Sequence, residues 1–350
     1  MDHDAALTPI EPIPPTPVPP AQPSALRKVF IGKDGLRAGW SLLIYVVILV
    51  AIGFSVTLIA QKIHPRPNPS EMAKITQNVP PRFLLLNEAI PFFMVLLVTW
   101  IMSKIERRPN SVYGFGGSRK LTHFLAGLAW GVTCLSLLVL ILWKTRFLVI
   151  DSRLVFGSDI LRYGAIWLFG FLLVGLFEEY LLRGYLQYTL SRGLTGLYQA
   201  IFKSRHSTAL GFWTAALLLS TLFGLGHGSN PGESPIGLLS AGLAGLLFCF
   251  ALWRTGSLWW AIGFHTSWDW AQSFLYGVAD SGMMVQHHLL ATHAVGKPIL
   301  SGGATGPEGS IFVVVVFAVA SVIIVFTLPR AHSGGSPKQS TNSNLASAGV

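Results

Sequence analysis

Apolar residues in this chain do not alternate with polar ones; they run on. Eight such stretches read as membrane spans: Trp40–Ala60, Phe83–Met102, Thr122–Trp143, Tyr163–Gln187, Ala209–His227, Ile236–Trp253, Leu258–Tyr276 and Ile311–Leu328. Each is long enough, or nearly so, to cross about 30 Å of hydrocarbon at about 1.5 Å per residue. Lipid offers backbone N–H and C=O groups no partner, so these runs must be helical. A membrane β-barrel would show short alternating segments instead. The pattern predicts an all-α fold, a polytopic membrane protein of about eight transmembrane helices in a single bundle. Residues 1–38, Pro-rich from Thr8 to Pro23, read as a disordered tail. Residues 39–328 form the transmembrane helical domain, with its motif-bearing core at 163–276. The Ser/Gly/Asn-rich residues 329–350 read as a second disordered tail.

Composition agrees with the pattern. The 350 residues are 51% hydrophobic and only 11% charged, where soluble domains carry about 25%. A net charge of +10 raises nucleic acid as a partner. Lys and Arg lie between the apolar runs rather than in one stripe, however, and no nucleic-acid module is present. That placement suits anionic headgroups and control of topology. With Arg183 counted to the inner side, sixteen of the 25 Lys and Arg fall on the side of the N-terminus and nine on the other. The bias is strongest in the Lys104–Lys120 loop, with Arg107, Arg108 and Arg119. It places both termini in the cytoplasm of a multi-pass cell-membrane protein. The N-terminus lacks the pattern of a secretory signal, so the first run reads as an uncleaved anchor. No repeat of paired halves is visible, which counts against the transporter folds built that way.

Charged side chains near a span centre cost roughly 2.5–3.5 kcal/mol each on insertion scales, so those that occur are candidates for function. Glu178 and Glu179 lie late in the fourth run, followed by Arg183; His227 ends the fifth; His265 and Asp269 lie in the seventh. Glu179 and Arg183 stand i,i+4 and share a helix face. Glu178 points about 100° away and is free to face a cavity. His265 and Asp269 are again i,i+4. An isolated polar residue in a span is more often a helix–helix hydrogen-bonding partner, and Glu88, beside Asn87 in the second run, is read in that way. The other six form three spaced groups, which favours chemistry: a base and histidine activating water, and a second histidine stabilising an oxyanion. The spans as drawn put Glu178 and His265 in the inner half of the membrane and His227 near the outer end.

Glu178-Glu179-x-x-x-Arg183, Phe223-x-x-x-His227 and His265-x-x-x-Asp269 together resemble the three motifs of the CPBP intramembrane proteases. These are the CAAX-prenyl endopeptidases and bacteriocin-processing or self-immunity membrane proteins. The resemblance covers about Tyr163 to Tyr276. It implies an eight-helix membrane fold and an endopeptidase acting on membrane-anchored proteins or peptides. It also implies that Glu178 and His227 activate water, that His265 and Asp269 serve the oxyanion, and that Glu179 and Arg183 support them. Asp269 lacks the amide donor of the Asn that the family also allows, so an orienting role toward His265 suits it better. The family carries the label metalloendopeptidase, and Glu178, His227 and His265 could hold zinc with an open position. The same residues also work as a metal-free glutamate site, which is the reading preferred here.

Other chemistry fits less well. The sequence has no H-E-x-x-H zinc helix and no G-x-S-x-G elbow. Gly232-Glu-Ser234 lies between Pro231 and Pro235 and reads as a loop. His287, His288 and His293 sit in the connection between the last two runs with no carboxylate or thiolate at ligand spacing. Cys134 and Cys249 both fall inside apolar runs and build no disulfide framework. The competing functions are a non-catalytic scaffold or self-immunity protein of the same architecture, and a proton-coupled transporter using Glu178 and Glu179.

Overall fold

The computed structural model describes residues 29–63 and 67–328. Residues 1–28 and 329–350, most of the two expected tails, lie outside the described residues. Contacts divide the chain at Arg37 into two units. In the first, β1 (Ile31–Gly32) and β2 (Gly35–Leu36) form a small antiparallel hairpin.

The second unit is a helical bundle. It opens with α1 (Ala38–Ile63), the short α2 (Pro69–Gln77) and α3 (Pro81–Glu106). Asn68 caps α2: its Oδ1 accepts from Glu71 N at 2.9 Å while Glu71 Oε2 accepts from Asn68 N at 2.9 Å. Then come α4 (Lys120–Lys144), the strand β3 (Leu148–Arg153) and α5 (Asp159–Glu179). A π-helical turn at Tyr180–Leu186 joins α5 to α6 (Gln187–Phe202), making one continuous helix of 44 residues. The longer helices that follow are α7 (Ser207–Gly226), α8 (Pro235–Thr255), α9 (Trp259–Trp270) with a π turn at Ala271–Leu275, and α10 (Val313–Thr327). Between α9 and α10 runs a long connection whose β4 (Leu290–Ala294) pairs antiparallel with β3.

The protein is thus an all-α polytopic membrane protein. Among the described residues six helices are long and apolar enough to span a bilayer: α1, α3, α4, the joined α5–α6, α7 and α8. Helix α10 is a shorter apolar helix. The stretch expected as a seventh span folds as α9 plus its π turn, and its lower hydropathy has a reason. Helix α9 is sheathed by protein, with Trp260, Ala261, Ile262 and Phe264 in the core. It therefore carries His265, Thr266, Ser267, Asp269 and Gln272 without presenting them to lipid.

Glycines let the neighbours of α9 come close. A side chain at Gly127 or Gly131 of α4 would collide with the backbone of Trp260 or Phe264, and one at Gly263 with the carbonyl of Phe124. This is the small-xxx-small device of membrane helix packing. On the opposite side Gly175 of α5 admits Thr266, whose Oγ1 would lie 3.0 Å from a Cβ there. Helix α9 is thereby held between α4 and α5, with His265 beside the glutamates of α5.

Candidate active site

The six residues singled out from the sequence fall together. Glu178, His227, His265 and Asp269 line one cavity of about 590 Å³, and Glu179 and Arg183 lie buried directly behind it. The two adjacent glutamates separate as helical geometry requires. The Glu178 side chain keeps 24% of its surface exposed, toward the cavity, while that of Glu179 keeps none.

Glu179 is the anchor of the arrangement. Its Oε1 accepts from Arg183 Nη1 at 3.0 Å and from His265 Nδ1 at 3.0 Å. The i,i+4 pair with Arg183 was legible in the spacing; the bond to His265, 86 positions away, was not. Arg183 enters the core with its guanidinium 4.3 Å from the Phe223 ring and 5.7 Å from the Phe248 ring, so aromatic faces supplement its single carboxylate. Gly245 of α8 leaves the space the guanidinium needs, since a Cβ there would collide with Arg183 Nη2.

His265 is fixed on every side. Phe248 stacks on its ring at 5.4 Å and Phe223 meets it edge-on at 6.4 Å. With Nδ1 committed to Glu179, Nε2 is the atom that faces the cavity. It lies 3.7 Å from Glu178 Oε2 and 3.5 Å from Asp269 Oδ2. These separations are ionic contacts rather than hydrogen bonds, and they leave Nε2 available to a third group. Glu179 thus meets His265 at Nδ1, and Asp269, expected to orient His265, lies beside the other nitrogen.

His227 reaches the same cavity because α5–α6 is longer than its apolar run suggested. The run was drawn to Gln187, yet the helix continues to Phe202. Helix α7 then returns along α6: Gly211 abuts Thr195, and about three turns later Phe223 meets Arg183. Its end therefore arrives at the level of Glu178, and the difference in depth expected for His227 disappears. His227 Nδ1 lies 2.8 Å from the Phe223 carbonyl. A carbonyl only accepts, so Nδ1 donates this bond and Nε2 is the nitrogen left for another partner.

The sequence did not single out the rest of the lining. Asn230 follows His227 after one 3₁₀ turn, and Asp280, Ser281 and Glu308 come from the connection between α9 and α10. Asp280 Oδ2 accepts from Ser273 Oγ at 3.1 Å; Glu308 Oε1 accepts from the Ser281 amide at 2.6 Å and its hydroxyl at 3.0 Å. Burial, with the charge of Glu308 second, pushes the Asp280 carboxyl well above its ordinary range. Burial also raises Glu308, against the opposing pull of its Ser281 bonds. Loop acids of this kind carry no helical spacing that would flag them. Glu88 also lines the cavity, where the sequence suggested a helix–helix partner.

Two sets of candidate ligands do not assemble. Among the described residues no three His, Cys, Asp or Glu side chains are placed to hold a metal ion, so Glu178, His227 and His265 do not form the zinc site considered above. The loop histidines are engaged separately: His287 stacks on Tyr163 at 4.1 Å, His288 Nδ1 lies 2.7 Å from Leu290 O, and His293 Nδ1 lies 2.7 Å from Asp151 Oδ2. Cys134 and Cys249 are free and buried.

Residues 161–271 match the family model described as type II CAAX prenyl endopeptidase Rce1-like. The matched segment runs from early α5 to the end of α9 and contains all six motif residues. No curated protein and no solved structure shows significant similarity to the chain.

Proposed function

Starting from an Rce1-like domain at residues 161–271, we propose that this protein is an intramembrane endopeptidase that hydrolyses peptide bonds of membrane-associated proteins or peptides. The observation that carries the proposal is the placement of His265: Nδ1 bound to buried Glu179, Nε2 between Glu178 and Asp269, all on a cavity that His227 also lines.

Glu178 is the base. It is the member of the glutamate pair open to the cavity, and among the described residues no cation pairs with it beyond the neighbouring imidazole. His227 presents the Nε2 lone pair and orients the attacking water as an acceptor. Glu178 takes the water's proton as oxygen attacks the scissile carbonyl. His265, in its protonated form, donates from Nε2 to the developing oxyanion; Glu179 at Nδ1 and Asp269 beside Nε2 hold and stabilise that imidazolium. Arg183 holds Glu179 in place through their hydrogen-bonded ion pair. No step is routed through a metal.

The test is cleavage of a membrane-peptide library by the purified protein in detergent, read by mass spectrometry. The unaltered protein cuts a subset of peptides. Glu178→Gln keeps shape but accepts no proton, and its rate falls by about 10²–10⁴ while folded protein remains abundant. A fully active Glu178→Gln protein refutes the mechanism. No cleavage by the unaltered protein favours the non-catalytic scaffold instead.

A further inference from the structure

Glu88 belongs to α3, outside the segment that carries the three motifs. A carboxyl inside a span is expensive, and the usual compensation is a hydrogen bond to a neighbouring helix. Glu88 has none: among the described residues its side chain makes no hydrogen bond and no ion pair. It lines the same cavity as Glu178, and the charged groups acting on it are Glu178 and His265.

Its position follows from how α3 packs. Leu84 of α3 abuts Gly170 of α5, where a Cβ would lie 2.9 Å from Leu84 Cδ2. Glu88 is one turn beyond Leu84, and Glu178 is about two turns beyond Gly170. Leu84, Phe171 and Val174 form the apolar wall that these two carboxyls share. Every other carboxyl on the cavity has an attachment. Glu178 and Asp269 contact His265, Asp280 accepts from Ser273, and Glu308 accepts from Ser281.

We propose that Glu88 is a second catalytic carboxyl, the acid that delivers a proton to the leaving nitrogen. The inference rests on the hydrolysis proposed above, in which Glu178, once protonated by the attacking water, would otherwise have to serve the leaving nitrogen as well. A carboxyl in a span with no hydrogen-bond donor and no ion-pair partner is held at least cost as the neutral acid, the form a departing amine requires. The step balances. Glu178 carboxylate removes one proton from water, the hydroxide oxygen bonds to the carbonyl carbon, and the tetrahedral intermediate collapses with cleavage of the C–N bond. The nitrogen takes its proton from Glu88, giving a free amine and a carboxylic acid. Glu178 is left protonated and Glu88 ionised. Transfer of that proton across the cavity restores both, and no oxidant, reductant or co-reactant is consumed.

The experiment compares the best-cleaved peptide of the library with its depsipeptide, in which oxygen replaces the scissile N–H. An amine leaves only when protonated, whereas an alkoxide is a far better leaving group. Glu88→Gln is expected to slow amide cleavage by about 10²–10⁴ and to slow the ester much less, so the ester-to-amide rate ratio rises. A structural role would lower both rates alike, and equal losses or unchanged amide cleavage overturn the inference. If Glu88→Gln is not recovered folded, Glu88→Asp serves, since it withdraws the carboxyl by one methylene; the same rise in ratio is expected and equal losses again refute it. Glu178→Gln should abolish both reactions. Should it cleave both normally, the hydrolytic mechanism itself fails, an outcome distinct from a failure of Glu88 alone.

Discussion

Replacing Glu179 by Gln removes one negative charge and almost no volume, which isolates the electrostatic contribution of the buried pair. Glu179 Oε1 and Arg183 Nη1 are 3.0 Å apart, with side-chain exposures of 0% and 1%, so solvent screening is slight. At an effective dielectric constant near 20 the attraction at this separation is about 5–6 kcal/mol, partly offset by the desolvation of both groups. The group stranded by the substitution matters more: a guanidinium in the core with no counter-charge, where loss of one partner of a buried pair costs about 3–5 kcal/mol. The assay is equilibrium unfolding in mixed micelles for Glu179→Gln, Arg183→Met and the double variant. Each single variant should lose about 3–5 kcal/mol, and the double variant should lose less than their sum by about 0.5–3 kcal/mol, because it removes the stranded charge as well. Aromatic contacts to Phe223 and Phe248 remain in Glu179→Gln and place its loss toward the lower end of that range. Additive losses, or a Glu179→Gln protein within about 0.5 kcal/mol of the unaltered one, would refute the view that Glu179 holds Arg183 by charge.

Further expectations concern packing, pH and topology. Gly245→Ala should destabilise the protein by about 1–3 kcal/mol by overpacking against Arg183, whereas Gly196→Ala, with nothing within 4 Å of its Cβ, should gain about 0.5–1 kcal/mol from helix propensity; thermal unfolding of the two variants checks the contrast. Asp280 and Glu308 have raised carboxyl values in the folded state, so the folded form binds more protons than the unfolded one. Their effect on stability is most favourable below the ordinary carboxylate range and is lost as pH rises through the raised values. Asp280→Asn should therefore flatten the fall in melting temperature as pH rises above the ordinary carboxylate range, and an unchanged slope counts against the assignment. Reporter fusions at Pro329 should read as cytoplasmic and at Gly303 as external; the reverse pattern at both overturns the orientation drawn from Lys and Arg.

Much of this was legible because lipid imposes a severe code. Long apolar runs located every long helix of the bundle, and the cost of charge in lipid picked out Glu178, Glu179, Arg183, His227, His265 and Asp269, which the fold gathers at one cavity. The errors have physical causes. Gln187–Phe202 carries Arg192, Thr195 and Gln199, so hydropathy ended the fourth span too early; α6 nevertheless stays helical because α7 packs along it. That one boundary set His227 at the wrong depth. The bond from Glu179 to His265 joins two helices far apart in sequence, and no spacing rule reaches it. The loop carboxyls Asp280 and Glu308 have neither periodicity nor a hydropathic penalty to mark them. Glu88 was visible as a misplaced charge, but its lack of a helix–helix partner is a fact of packing alone.

The adjacent glutamates show how one dipeptide supplies both scaffold and reagent. A helix turns by about 100° per residue, enough to send one carboxyl into the core and its neighbour into a cavity. Glu179 meets a cation and an imidazole fixed by Phe223, Phe248 and Gly245, so its charge is compensated before any substrate arrives. Glu178 has no such hydrogen bond among the described residues: it meets the His265 imidazole only at 3.7 Å and keeps a quarter of its side chain open to the cavity. The π turn begins at Tyr180, immediately after the pair, and the second lies just beyond Asp269. Such turns rotate the residues beyond them relative to those before, and they concentrate at functional sites. The first joins two α-helical segments into one continuous helix, and the second closes the helix that carries His265 and Asp269. Arg183 meets Glu179 from within the first, and the segment after the second supplies Ser273 to Asp280. Local irregularity and buried charge are thus two parts of one solution: the bundle places Glu179 and Arg183 where protein surrounds them, and leaves Glu178 on the cavity wall.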